Sequence, residues 1–249
     1  DPRVTLLLPS MGKLSSEAAA SVFRTLGIRA KAHPPADESV LKLGRANTSC
    51  KECLPLILTT GFMLNHISNG RRKDEVLVYF MATASGPCRF GQYSIFMEDL
   101  IKKLEIPDVA LFSLTSENSY AGLGSIFNEK MWWAFVIADV MEDTRSMILA
   151  NATDVETGTR IFDKEWERIL FELEYGNFMS LEKQLSRTSE QLRQISMKRP
   201  PEEIPTVSVV GEIFVRRDGL SRQYLIERLA EKGFATICSP IAEWLIYSD

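Results

Sequence analysis

The first 112 residues alternate short apolar runs with amphipathic segments, and this alternation constrains the fold more than any other feature of the chain. The runs at 5–8, 28–32, 75–80 and 109–112 have the length and residue types of β-strands. Between the last two runs, apolar side chains recur at helical spacing: Tyr93, Phe96, Met97, Leu100, Ile101 and Leu104. Strands that alternate with helices form parallel sheets. The sequence therefore predicts an α/β fold, with a Rossmann-like parallel-sheet domain over residues 1–127.

The character of the chain changes near residue 128. Residues 128–198 contain long helical patterns without strand signals, so a helical segment is expected there. A proline-rich stretch, RPPEEIP, begins at Arg199 and is interpreted as a linker, because prolines cannot continue a helix. A strand, a helix and a strand are then expected in order at 206–210, 221–232 and 235–238. Residues 199–249 are therefore predicted to be a linker and the start of a second Rossmann-like unit, in a fragment of a longer protein.

The composition is that of an ordinary globular protein and argues against two classes of partner. The 249 residues are 45% hydrophobic and 25% charged, with a net charge of −4. No basic stripe interleaves with aromatic residues, so nucleic acid is not an expected partner. No apolar run approaches the roughly 20 residues of a membrane span, and no signal peptide opens the chain. A cytoplasmic protein without a membrane partner is expected.

Three cysteines fall in two short segments that are interpreted as one site. Cys50 and Cys53 lie in TSCKECLP at 48–55, and Cys88 lies in TASGPCRFGQY at 83–93. Each segment is at a predicted loop-to-helix junction, where backbone N–H groups and the helix dipole favour thiolates and anionic clusters. In parallel α/β sheets such junctions lie beyond the carboxyl ends of the strands, where ligands usually bind. The two segments are therefore expected to meet over a common ligand.

The spacing of these cysteines favours metal chemistry. A Cys-x-x-Cys pair lets two thiolates reach one metal centre, and Cys88 can add a third, which favours an iron–sulfur cluster. Cys238 lies at the end of a later strand and is not assigned as a fourth ligand. Three other interpretations stay open: buried unliganded thiols, a thioredoxin-like dithiol, and structural zinc with His66 added to the cysteines. No catalytic residue can be assigned from these patterns.

Five motifs of the chain occur together in a known family. They are TSCKECLP, TTG at 59–61, MATASGPCRFGQY at 81–93, GEIFVR at 211–216, and SP with EWLIY near the end. In this combination the chain resembles the 2-hydroxyacyl-CoA dehydratase superfamily, and it is similar to the dehydratase-like part of the acyl-CoA dehydratase activase-related proteins. The likeness spans nearly the whole chain, and SGPCRFGQY is its most specific part. Within GEIFVR, Glu212 and Arg216 either face a crevice or form an ion pair at a strand end.

The resemblance implies a Rossmann-like fold that holds an oxygen-sensitive iron–sulfur cluster, here expected to be of the 4Fe-4S type. Its ligands would be Cys50, Cys53 and Cys88. Four neighbours of Cys88 would line the cofactor pocket: Ser85, Gly86, Arg89 and Gln92. Dehydratase members of the family remove water from 2-hydroxyacyl-CoA by a ketyl-radical route, after a partner with an actin-like ATP-binding fold supplies one low-potential electron. This chain has no ATP-binding signature, so that activase would be another domain or protein.

The leading hypothesis is an iron–sulfur protein that acts in ATP-coupled, low-potential electron transfer or in reductive or dehydratase chemistry. If it is an enzyme, it would be a lyase or a reductase, with an acyl-CoA as the candidate substrate. The alternative is a non-enzymatic α/β interaction module with structural zinc or metal-free cysteines. A third hypothesis is an enzyme that binds an acyl-CoA without a cluster. Metal and sulfide content separate the first two hypotheses, and turnover by metal-free protein would favour the third.

Overall fold

The computed structural model describes residues 1–49, 51–115 and 123–243. It shows an α/β protein with a parallel sheet, which confirms the expected fold class. The chain divides into two compact units, Asp1–Glu129 and Lys130–Asp249, and each is described by itself. No helix within the described residues is long and apolar enough to span a bilayer.

The first unit is built on a four-stranded parallel sheet in the order β2-β1-β3-β4. The strands are β1 (Val4–Leu8), β2 (Ala30–Ala32), β3 (Val76–Phe80) and β4 (Val109–Phe112). All three pairings are parallel, and β1 pairs with β2 on one side and with β3 on the other. This order places a topological switch point between β1 and β3. In open parallel sheets, ligands bind beyond the carboxyl ends of the strands at such a point.

Four helices connect these strands. They are α1 (Lys13–Arg24), α2 (Glu38–Asn47), α3 (Leu54–Asn65) and α4 (Tyr93–Lys103). A single π-helical turn, His66–Gly70, extends α3 toward β3. Most residues of α1 and of α3 are buried, so both helices are covered on most of their surface. Helix α2 was not predicted from the sequence.

The N-terminus of α1 has a glycine as its capping residue. Ser15 has the residue type of an N-cap, yet the helix begins at Lys13 with Gly12 as the capping residue. Gly12 has a φ of 89°, which a glycine adopts without the penalty that a side chain would carry. Ser15 is instead buried inside the first turn of α1.

Two glycines let α2 and α3 approach backbone to backbone. A Cβ atom added to Gly44 of α2 would overlap the carbonyl oxygen of Ile57, and one added to Gly61 of α3 would overlap that of Val40. Backbone atoms cannot move aside as the end of a flexible side chain can. The pair of glycines therefore fixes the distance between the two helices, and with it the position of the first turn of α3.

The second unit combines long helices with a small parallel sheet. The helices are α5 (Ser125–Asn151), α6 (Val155–Tyr175), α7 (Phe178–Leu192), α8 (Ile213–Arg217) and α9 (Leu225–Ala230). The strands β5 (Thr206–Val209) and β6 (Ala235–Cys238) pair in parallel. The predicted linker contains a 3-10 turn, Pro201–Glu203. The predicted helical segment and the predicted second α/β unit thus lie in the same compact unit.

Helix α9 is shorter than the sequence predicted. A helix was expected over 221–232, but α9 spans only Leu225–Ala230. Gln223 and Tyr224 have φ values of 53° and 55°. Two consecutive left-handed residues cannot continue a right-handed helix, so α9 begins only after them.

Candidate functional site

Both cysteine segments lie at the ends of helices on the carboxyl side of the first unit's sheet. Cys53 is the residue that caps the N-terminus of α3, and Pro55 occupies its first turn, as the sequence predicted. Cys88 follows β3 and caps a 3-10 turn, Arg89–Gln92, that leads directly into α4. Each thiol therefore precedes backbone N–H groups that begin a helical turn.

Direct contacts join the two segments. The Sγ atom of Cys53 lies 2.5 Å from the hydroxyl oxygen of Tyr93, and either atom can be the donor. The Nη1 atom of Arg89 donates to the carbonyl oxygen of Lys51 at 3.2 Å and lies 3.7 Å from Oε2 of Glu52. Residues 38 and 40 positions apart in the sequence are thus neighbours. The structure brings together the two segments that were predicted to form one site.

Local hydrogen bonds order the first segment. Ser49 donates from Oγ to Oε1 of Glu52 at 3.1 Å and accepts from the backbone N–H of Lys51 at 3.3 Å. The N–H of Glu52 also donates to the carbonyl oxygen of Ser49. This turn holds Glu52 where Arg89 reaches it. Cys50 lies outside the described residues.

The second segment begins as an extension of the sheet. Thr83 forms an isolated parallel bridge to Thr115, and its hydroxyl donates to the carbonyl oxygen of Gly91 at 3.2 Å. The chain between them turns at Gly86, where φ is 118°, a backbone conformation that favours glycine. The residues predicted to line a cofactor pocket all have exposed side chains or backbone: Ser85, Gly86, Arg89 and Gln92. Cys88 is exposed as well, so this loop is open to a ligand or a partner.

Tyr93 contacts Cys53 of the first segment and Phe90 of the second. It is buried, and its ring packs edge-on against Phe90 at a centroid distance of 5.4 Å. Sequence reasoning assigned Tyr93 to the apolar face of α4 and missed its contact with Cys53. A hydroxyl on an otherwise apolar face, five residues after Cys88, was the available signal, because buried tyrosine hydroxyls usually find a hydrogen-bond partner.

No family model matches this sequence, and comparisons with curated proteins and with solved structures find no match either.

His66 cannot complete a zinc site with Cys53. Helix α3 separates them: Cys53 precedes its first turn, and His66 follows its last residue. Twelve helical residues span about 18 Å at 1.5 Å per residue, whereas zinc–ligand bonds are about 2 Å long. The alternative with His66 as the fourth ligand is therefore wrong. Within residues 1–49, 51–115 and 123–243, no three His, Cys, Asp or Glu side chains converge on one point.

His66 instead forms a buried pair with Glu75, which directly precedes β3. Its Nε2 atom lies 2.6 Å from Oε1 of Glu75, and Oε2 of Glu75 lies 3.9 Å from Nζ of Lys31. Burial lowers the pKa of His66 more than the hydrogen bond to Glu75 raises it. Burial alone would raise the pKa of Glu75, but the hydrogen bond from His66 and the charge of Lys31 outweigh burial and lower it. A neutral imidazole that donates to a carboxylate is consistent with both directions.

Cys238 is separate from the predicted ligand set. It ends β6 in the second unit, and its thiol is buried against the carbonyl oxygen of Arg216 at 3.6 Å. Burial raises the pKa of the Cys238 thiol. Such a thiol behaves as a small apolar side chain. Cys88 does not fit this interpretation, because its side chain is exposed.

Cys53 and Cys88 suit an iron–sulfur cluster in their chemistry and placement. Both are free thiols, one half-buried and one exposed, on segments that touch each other. Both precede helical turns, whose N–H groups favour negative charge. Anionic thiolates and cluster sulfides would meet that requirement.

Proposed function

We propose that the first unit holds an iron–sulfur cluster through Cys53, Cys88 and Cys50, and that the protein acts in low-potential electron transfer or in reductive or dehydratase chemistry. The observation that carries this proposal is the contact between the two cysteine segments, made by Tyr93 on Cys53 and by Arg89 on Lys51 and Glu52. Buried thiols without a ligand would not require one half-buried and one exposed cysteine on two segments that contact each other.

The residues around the cysteines have distinct roles in this proposal. Arg89 ties the Cys88 segment to the Cys53 segment through its contacts with Lys51 and Glu52. As an iron-bound thiolate, Cys53 would accept from the hydroxyl of Tyr93, which would lower the negative charge on the sulfur. Ser85 and Gln92 are exposed beside Cys88 and supply polar groups to whatever docks there. When bound, a cluster would supply one-electron chemistry at a potential set by such hydrogen bonds and by exposure to solvent.

The partner in this proposal is an ATP-hydrolysing activase of actin-like fold. The motifs that the chain shares with the 2-hydroxyacyl-CoA dehydratase superfamily support this partner and an acyl-CoA substrate. A cytoplasmic location accords with free cysteines, because disulfides persist in oxidising compartments and are rare in the cytoplasm.

Anaerobic purification tests the cluster directly. We expect a brown protein with broad visible absorption that contains iron and acid-labile sulfide in similar amounts. Cys53→Ser and Cys88→Ser should each lose most of the iron and the colour, because each variant removes one thiolate ligand. Cys238→Ser is the matched control and should keep both, because that thiol is buried in the second unit.

Three results would contradict the proposal. A colourless protein with stoichiometric zinc would support the structural module instead, with a fourth ligand other than His66. A metal-free protein that turns over an acyl-CoA would support the enzyme without a cluster. Iron content that falls equally in Cys238→Ser would show that the metal is bound nonspecifically.

A further inference from the structure

The second unit contains a group of buried polar side-chain atoms that have no hydrogen-bond partner within the described residues. It is centred on residues 216–224, RRDGLSRQY, which we term the arginine loop. The loop joins the end of α8 to the start of α9. Its side chains have no role in the function proposed above, so the inference below stands independently of it.

Arg216 and Arg217 anchor the arginine loop at the carboxyl ends of both strands. Arg216 donates to the carbonyl oxygens of Gly211, Ser239 and Pro240, at 2.6 to 3.2 Å. Arg217 donates from Nη2 to the carbonyl oxygen of Ser239 at 2.9 Å. Gly211 follows β5, and Ser239 follows β6 directly. The loop therefore lies where parallel sheets bind ligands.

The guanidinium groups of the arginine loop are only partly used. Every donor nitrogen of Arg216 has a carbonyl partner. Nε and Nη1 of Arg217 have no partner in the described part of the chain, although this side chain is only 2% exposed. Arg222 uses Nη1 and Nη2, but its Nε atom is also unpartnered. The hydroxyl of Ser221 is buried without a partner as well. A buried guanidinium donor without an acceptor is expensive, so these donors indicate a missing anionic or polar oxygen.

Two buried acceptors accompany these donors. Oδ1 of Asp218 and Oε2 of Glu227 have no partner, although the other oxygen of each carboxylate does. Asp218 accepts from the N–H of Ser221, and Glu227 pairs with Arg222 and Arg145. A ligand that satisfies the whole set must present oxygen acceptors and at least one hydrogen. A plain anion meets only the first requirement.

The acidic neighbours of the arginine loop either accept hydrogen bonds or have a raised pKa. Asp139 pairs with Nη2 of Arg217 and accepts from the N–H of Ala242. Asp143 accepts from the N–H of Cys238, and burial raises its pKa. Burial likewise raises the pKa of Glu142, against the charges of Arg222, Arg145 and Arg217. Arg217 and Arg222 each form an ion pair, yet each keeps at least one guanidinium nitrogen that has no acceptor among the described residues.

The backbone of the arginine loop is held in an unfavourable conformation. Gln223 and Tyr224 are both left-handed, and neither is a residue type that visits this region readily. Such residues are strained and tend to occur at ligand-binding segments. Strain and unpartnered donors thus occur in the same nine residues.

We propose that the arginine loop binds inorganic phosphate, with Arg217, Arg222 and Ser221 as donors and Asp218 as the acceptor of a phosphate hydroxyl. Phosphate at neutral pH carries a proton, which suits the mixed set of donors and acceptors. Sulfate has the same shape and no such proton. Asp218 would therefore repel sulfate while it binds phosphate.

Binding of inorganic phosphate to the full-length chain tests the proposal, by isothermal titration calorimetry at constant ionic strength. We expect saturable binding to one site, a rise in melting temperature with phosphate concentration, and weaker binding of sulfate. Arg217→Lys should weaken phosphate binding about tenfold, because an ammonium does not reproduce the donor directions of a planar guanidinium. Arg228→Gln is the matched control: Arg228 is exposed on α9, so its loss should leave binding unchanged.

Substitution of the buried Arg217 can also impair folding, so two further variants test phosphate binding without changing an arginine. Ser221→Ala removes one hydroxyl and should weaken phosphate binding severalfold without changing the melting temperature of the phosphate-free chain. Asp218→Asn keeps the shape and should reduce the preference for phosphate over sulfate, because an amide can donate to either anion. Glycerol 3-phosphate should bind more weakly than inorganic phosphate, because a phosphate monoester loses its second proton with a pKa of about 6 and then has no hydroxyl to donate to Asp218.

The proposal would be overturned by an absence of saturable phosphate binding at millimolar concentration, which would leave ordered water as the partner of these atoms. Equal weakening by Arg228→Gln and Arg217→Lys would also overturn it, because binding would then follow net charge alone. Equal affinity for sulfate and phosphate in the wild-type chain would exclude the role of Asp218. All of these results are independent of the iron content of the protein.

Discussion

The three described cysteines differ in how far solvent reaches their thiols. Cys88 is exposed, Cys53 is half-buried, and Cys238 is buried with a raised pKa. Because the thiolate is the reactive form, a buried thiol with a raised pKa reacts slowly. In metal-free protein, we expect iodoacetamide to modify Cys88 first and Cys238 last, as followed by peptide mass spectrometry.

Unfolding in guanidinium chloride provides the control for this order. All three thiols should then react at similar rates, because the differences come from folding. Rapid modification of Cys238 in the folded chain would contradict its placement in β6.

The His66–Glu75 pair predicts a pH dependence of stability. The folded pKa of His66 lies below its ordinary value of about 6.5, so the unfolded chain takes up a proton that the folded chain does not. The free energy of unfolding should therefore fall as the pH drops through about 6.5. Glu75, whose folded pKa is lowered, adds a further loss at more acidic pH.

His66→Gln should flatten the first part of this dependence, because glutamine can donate to Glu75 but does not titrate. Urea unfolding between about pH 7.5 and pH 5.5 measures the two slopes. Equal slopes for the wild-type chain and His66→Gln would show that other groups cause the acid sensitivity.

Much of the candidate site could be predicted at the residue level, and the limits have physical causes. Pro55 marks the first turn of α3, so the position of Cys53 at a helix start could be inferred from local sequence. Proximity of the two segments followed from the rule that parallel strands end at one edge. The specific contacts of Arg89 and Tyr93 could not be predicted, because they depend on side-chain directions across 38 and 40 residues.

Among the elements, the closely packed α2 and α3 determine where the Cys53 segment lies. Gly61→Ala should lower the free energy of unfolding by about 2–3 kcal/mol, because its Cβ would overlap a backbone carbonyl of α2. Gly27→Ala is the matched control. It has a φ of 72° and open space around it, so it should lose about 1 kcal/mol from backbone strain alone.

Urea unfolding of both variants distinguishes overlap from strain. The proposal for the cysteine site adds a second measurement: Gly61→Ala should also reduce iron content, since α3 carries Cys53. If Gly61→Ala and Gly27→Ala lower the free energy of unfolding equally, then α2 and α3 can move apart without a further loss of stability.

The elements that sequence analysis missed are those with weak local signals. Helix α2 contains Gly44 and lacks a long apolar stripe, and its N-terminus depends on a cap by Asp37, whose side chain accepts from the N–H of Val40 at 2.9 Å. Helix α8 has five residues, too few for a periodic pattern. In contrast, β4 and β6 were predicted with the observed bounds because turn residues flank their apolar runs.

At the scale of the whole molecule, each unit has its own buried core. In the first unit, Phe23 packs against Phe80, Phe112 and Phe127, with ring centroids 5.1 to 6.2 Å apart. In the second, Ala150, Ile204, Ala230 and Ala235 form a separate buried cluster. Units with separate cores can often fold alone.

A chain of residues 1–129 should therefore unfold cooperatively in urea, as measured by circular dichroism. Phe127→Ala in the same shortened chain should lower its stability by about 3 kcal/mol, because the ring is buried against Phe23. Noncooperative unfolding of the shortened chain would show that the first unit needs the second.

The order of strands in the first sheet has a consequence for synthesis on the ribosome. Strand β1 is made first, yet one of its two neighbours, β3, follows about seventy residues later and comes between β1 and β4. Cys88 is 35 residues beyond Cys53, which corresponds to about 2–7 s of translation at 5–20 residues per second. During that interval the nascent chain carries one edge of β1 without its partner strand and a thiol without its counterpart. The two cysteine segments can therefore meet only after β3 has been synthesised, while β4 is still to come.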